Sequence, residues 1–237
     1  MMTIKEKMNP NKIARTVGIL FIIGTVAGIL SLVFTGPILD DPNYLTKAAA
    51  NETQLIIGAL FILIMGFSLS MLPVMLFPIF KKENEALALG AVVFRGALEA
   101  VAYIAIVISM LLLLTVSREY VNAGAPDASY FQTLGTISLE AGVWFGSMLN
   151  FVFSLGALMI YYLFYKTNLI PRWLSVWGLI GGLLYFAEPV LAMFGAEFEI
   201  LFVPLAVQEM VLALWLIVKG FNPSAIASSS VKTDINK

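Results

Sequence analysis

The 237-residue chain contains no cysteine and no histidine. That double absence removes disulfide frameworks, thiolate nucleophiles, haem ligation and imidazole-based zinc or di-iron sites, so any metal would have to accept oxygen ligands only. Charge is scarce as well. Asp, Glu, Lys and Arg make up 12% of the residues and apolar residues 60%, whereas soluble domains carry about a quarter and about half, respectively. A soluble fold is excluded. No serine sits in a nucleophile elbow, no Asp-x-Asp-type cluster offers a magnesium site, and no phosphate loop is present. The few basic residues are scattered rather than gathered into the patch that nucleic-acid binding needs. Neither a cofactor nor a nucleic-acid partner is expected, and the balance leans against an enzyme.

Long apolar runs are abundant. Six segments reach the roughly 17–25 apolar residues that cross a bilayer, near 15–35, 54–80, 88–115, 139–165, 173–195 and 200–219. The first follows Lys5, Lys7, Lys12 and Arg15 in the manner of a signal peptide, but Thr35-Gly36-Pro37 lacks a small-x-small cleavage pattern, so it reads as a first span. The fold class expected is therefore all-α, a polytopic integral membrane bundle of six transmembrane helices. It forms one domain over 1–221, with a serine-rich disordered tail over 222–237.

Orientation follows from lysine and arginine. Six spans put both termini on one side, and that side collects Lys5, Lys7, Lys12, Arg15, Lys81, Lys82, Lys166, Arg172, Lys219, Lys232 and Lys237 against Lys47 and Arg118 on the other. The positive-inside rule then makes both termini cytoplasmic. The outer side holds Asp40, Asp41, Glu52, Glu119, Asp127, Glu140, Glu197 and Glu199. This acidic surplus favours approaching cations, and it is also what positive-inside placement leaves behind.

The links differ between the two sides. Lys81–Glu85 and Lys166–Arg172 are short and predict antiparallel hairpins. Outside, Asp41-Pro42 predicts a helix start running through Tyr44, Leu45 and Ala48 towards the second span, while Gly124-Ala125-Pro126 predicts a break. Asp127 would then cap a short interfacial helix with Tyr130, Phe131, Leu134 and Ile137 on one face. Glycines four apart, Gly24/Gly28, Gly142/Gly146 and Gly178/Gly182, predict close helix packing. Pro73, Pro78 and Pro189 predict kinks. Trp173, Trp177, Trp215, Tyr161, Tyr162 and Tyr165 read as an aromatic belt at the cytoplasmic boundary.

The succession Ala49–Gln54, Tyr120–Asp127, Ile170–Gly178 and Gln208–Trp215 resembles a bacterial multi-pass membrane family of unknown function, DUF4386. The likeness covers nearly the whole chain, including Phe94-Arg95 and Glu99. The resemblance implies an integral membrane protein of a bacterial inner membrane and brings no catalytic residues with it.

The candidate site is the polar set inside the spans: Arg95 and Glu99 in the third, Asn150 in the fourth, Glu188 in the fifth, and Gln208 and Glu209 in the sixth. Arg95 and Glu99 stand four apart and so stack on one helical face. A charge at such depth costs at least about 2.5–3.5 kcal/mol. One arginine cannot neutralise Glu99, Glu188 and Glu209 together, so at least one carboxyl is expected to be protonated, hydrated or bound to an external cation. Three readings follow. The set lines an outward-opening polar cavity that binds or transports a small ligand, proton or cation. Alternatively, it is a purely structural ion-pair network in a membrane subunit, immunity-type or regulatory partner protein. A lipid-modifying enzyme is the third. Lipid is the one certain partner, and oligomeric state is not readable.

Overall fold

A computed structural model describes residues 9–123, 128–196 and 198–226. The described residues are helical almost throughout, with no strand among them. In chain order the helices are α1 (Pro10–Leu39), α2 (Tyr44–Ala50), α3 (Glu52–Phe80), α4 (Glu85–Ala91), a π-helical segment (Val92–Leu98), α5 (Glu99–Ala123), α6 (Ala128–Thr167), α7 (Arg172–Ala192) and α8 (Val203–Val218). Six helical stretches are long and apolar enough to span a membrane: α1, α3, the continuous run Glu85–Ala123, α6, α7, and α8 with the 3-10 turn Glu199–Phe202 before it. Local chemistry sets several starts. Asn9 and Asn84 accept from Asn11 N and Leu87 N, and Pro10 opens α1 where a missing N–H costs nothing.

Each span packs on its neighbours in sequence, and α8 packs back on α1, which closes the six into a ring. One end of the ring gathers Lys12, Arg15, Lys81, Lys82, Lys166, Arg172 and Lys219 and is called here the basic end. There Phe164 stacks on Phe80 and Phe221, and Asn222 N donates to Leu169 O. The other, acidic end joins Tyr44 to Thr136 and Arg118 to Glu52. The outside of the ring is apolar: Leu32 and Val218 are each 70% exposed and Leu183 60%. Such a surface is stable against lipid tails and not against water. The chain is a multi-pass membrane protein.

Four expectations need correction or sharpening. No separate interfacial helix precedes the fourth span: from Ala128 onward the chain is one 40-residue helix. At 1.5 Å per residue α6 is about 60 Å long, twice the hydrocarbon core, so its first turns stand clear of the bilayer beside the end of α5. Residues 124–127, the expected break and cap, lie outside the described residues, as do Lys5, Lys7, Glu197, Lys232 and Lys237. The expected helix start after Asp41-Pro42 comes at Tyr44, with Asp41 Oδ1 accepting from Asn43 N at 2.8 Å, and α2 breaks from α3 at Asn51.

Close packing at glycine holds for two of the three pairs. A side chain at Gly24 or Gly28 would strike Leu69 or Met65, and one at Gly178 or Gly182 would strike Tyr161 or Leu158. Gly146 faces open space. Helices continue through Pro37, Pro73, Pro78 and Pro189. The first residues assigned to the tail are part of the fold: 223–226 form a helical turn, and Ala225 and Ile226 pack against the core. Residues 227–237 lie outside the described residues.

Candidate functional site

Arg95 lies where the third span leaves α-helical geometry. Over Val92–Leu98 the helix is π, so that Glu99 N–H donates to Phe94 O, five residues back. Single π turns inside α-helices are rare and concentrate at functional sites. Arg95 and Glu99 still meet across this turn, as their four-residue spacing predicts, at 3.7 Å.

The segment is pressed against α6 at one point. A Cβ on Gly156 would lie 2.6 Å from Arg95 N. Only glycine lets the two backbones approach this closely.

Arg95 is 1% exposed and points into the ring. Its Nη2 donates to Glu209 Oε1 on α8 at 2.9 Å, while Nη1 is 3.7 Å from Glu99 Oε2, an ion pair without a hydrogen bond. Tyr161 on α6 donates its hydroxyl to the same Glu209 oxygen at 3.3 Å. The guanidinium lies 4.1 Å from the Phe153 ring centroid and 5.8 Å from that of Phe21, so aromatic faces supply part of its stabilisation. Four spans, the first, third, fourth and sixth, meet on this one cation.

Glu99 differs from Glu209. It is 0% exposed, and neither of its oxygens has a hydrogen-bond partner among the described residues; Arg95 Nη1 has none either. Buried carboxylates are ordinarily hydrogen-bonded, and an incomplete set is the exception that asks for a cause.

The remaining residues of the set divide. Gln208 is fully buried but turns away from Arg95: its Nε2 donates to Leu174 O at 3.0 Å, joining α8 to α7. Asn150 accepts from the Tyr185 hydroxyl at 3.3 Å. Glu188 is 6% exposed and lies within electrostatic reach of Tyr185, which also interacts with Arg95, Glu99 and Glu209. Arg95, Glu99 and Glu209 thus form one group, with Asn150, Tyr185 and Glu188 joined to it through the tyrosine.

Sequence reasoning missed the tyrosines. Tyr161, assigned to the aromatic belt, is 1% exposed and serves the core, whereas Tyr162 and Tyr165 do face outward at 42% and 37%. Tyr103, one turn past Glu99, is also buried and within its electrostatic reach. A signal was present: Tyr103 continues the four-residue spacing of Arg95 and Glu99.

At the acidic end the two basic residues are paired. Arg118 grips Glu52 through two bonds of 2.6 and 2.7 Å, and Lys47 pairs with Asp41 at 3.1 Å. The Asn43 N–H, followed by Lys47, holds the Asp41 carboxyl below its usual range. Among the described residues no three acidic side chains gather into a metal-ligating group.

A family model described as a domain of unknown function, DUF4386, matches residues 16–220. No curated protein and no solved structure matches the chain.

Proposed function

The chain belongs to the DUF4386 family, and on that premise we propose that it is a proton- or cation-responsive transporter or sensor whose ligand occupies the polar core at Glu99. One observation carries this reading: a fully buried carboxyl with neither oxygen hydrogen-bonded. Arg95 is one positive charge between two carboxylates, and its hydrogen bond goes to Glu209. With both acids ionised the group is left at −1, so Glu99 is the place for one positive equivalent. A guanidinium at 3.7 Å repels a divalent ion more than a proton or a single-charged cation. Asn150, Tyr185 and Glu188 extend the polar set beyond Arg95, and the surplus of acid at the acidic end raises local cation concentration. Positive-inside placement supports an acidic end facing outward and both chain termini in the cytoplasm; the family resemblance is the ground for residence in a bacterial cytoplasmic membrane.

Infrared difference spectroscopy of the protein in liposomes tests the reading. A carboxyl band that responds to pH or to added sodium is expected in the parent and lost in Glu99→Gln. Identical difference spectra in the two proteins would sink it.

A second reading is favoured by the short Arg95–Glu209 bond and the tyrosine beside it: a fixed clamp holding α8 against the third span. It expects Glu99→Gln to leave every response intact.

A further inference from the structure

A cavity at the basic end shares no residue with the core group and is independent of the reading above. The turn between α6 and α7 and the segment after α8 line this open-sided cavity of about 360 Å³. Its eleven lining residues include two cations, Arg172 and Lys219, and no acid. We propose that this cavity is a phosphate-recognition site, taking the phosphoryl group of an anionic lipid headgroup or of a soluble phosphate.

The walls are built rather than incidental. Asn168 takes up a positive φ of 52°, Gly220 one of 70°, and Asn222 N donates to Leu169 O at 2.8 Å, so the two segments close on each other. Arg172 is aimed by two contacts. Its Nε donates to Asn168 Oδ1 at 2.8 Å, and its guanidinium lies 5.6 Å from the Tyr165 ring centroid. With Nε engaged, the outer N–H groups of the fork remain for a ligand, in the planar geometry that suits two phosphate oxygens.

Backbone polarity adds to this. Arg172 opens the 21-residue α7, whose first N–H groups point out of the helix, and Pro171 before it supplies no side-chain cap. The carbonyl end of α8 also meets the cavity, and Lys219 offsets its negative potential. Trp215, stacked edge-on against Trp173 at 6.5 Å, places the cavity at the level of an interfacial aromatic pair, where headgroups lie. Basic pockets at span ends are the usual receivers of anionic headgroups.

The test uses the full chain, delipidated in a neutral maltoside detergent. Native mass spectrometry follows titration with dioleoylphosphatidylglycerol, with dioleoylphosphatidylcholine, whose choline offsets its phosphate, and with inorganic phosphate. Charge-assisted bonds of this kind imply that Arg172→Gln/Lys219→Gln weakens phosphate-group binding about tenfold or more. Loss confined to phosphatidylglycerol assigns a lipid headgroup; loss of inorganic phosphate binding assigns a soluble ligand. Should the double variant not fold, Lys219→Gln decides, since its side chain is exposed at a helix end: weaker binding, restored by Lys219→Arg, is expected. Equal binding of both probes by parent and variant, or equal affinity for the two lipids with no response to inorganic phosphate, overturns the proposal.

Discussion

Two arginine–glutamate pairs sit in very different surroundings. Arg118 and Glu52 form the better-shaped one, two bonds of 2.6 and 2.7 Å, with side chains 49% and 36% exposed. Arg95 has a single bond to Glu209, a longer approach to Glu99 and almost no exposure. By geometry alone Arg118 would be the stronger contact. Water reverses the order. An exposed pair exchanges solvent bonds for protein bonds and gains little, whereas a buried one cannot lose a partner without stranding the other charge. Here location, more than bond count, decides what an ion pair does.

The comparison is broken most directly by removing Arg95. Arg95→Leu should cost about 3–5 kcal/mol because Glu209 is left without its cation, visible as loss of folded protein on size exclusion. Adding Glu209→Gln should recover much of it, and a double variant no better than the single would show that the two charges are not coupled. Next comes Gly156→Ala. Its methyl would meet backbone atoms of Arg95 rather than a movable side chain, an overpacking penalty of about 1–3 kcal/mol, measured as a lowered thermal midpoint.

Arg118→Gln should move that midpoint little, although it deletes two short bonds. A shift as large as that of Arg95→Leu would overturn the ordering. The smallest effect belongs to Asp41. Its carboxyl is depressed in the folded protein, so its contribution is present above the unfolded carboxylate pKa and is lost as pH falls through the lower folded one. Amide exchange across Tyr44–Ala50, corrected for intrinsic rate, should therefore rise on acidification in the parent and show no such step in Asp41→Asn.

Much of this was legible in the chain. The six spans follow from length and hydropathy, and Arg95, Glu99 and Glu209 follow from the cost of charge in lipid. What stayed hidden was rotation. In water an amphipathic stripe shows which face of a helix is buried, but in a bilayer the outside is as apolar as the inside, and residues such as Leu32 and Leu183 look like core yet face out. Tyr161 and Tyr162 are neighbours of one type. Only a quarter-turn separates the hydrogen-bonded one from the lipid-facing one, so the belt assignment took both. The π turn was illegible for a related reason: Val92–Leu98 carries ordinary residues, and the close approach of Gly156 on the neighbouring α6 appears only in the fold.

The ring also imposes an order on the protein's making. Arg95 and Glu209 are 114 residues apart, so the third span is threaded into the membrane while the sixth is still untranslated. During that interval Arg95 has no Glu209 to meet. Glu99, one turn along the same helix and 3.7 Å from the guanidinium in the finished bundle, is the carboxyl that enters with it. In that bundle the guanidinium's hydrogen bond goes to Glu209 on α8, and Glu99 keeps none among the described residues.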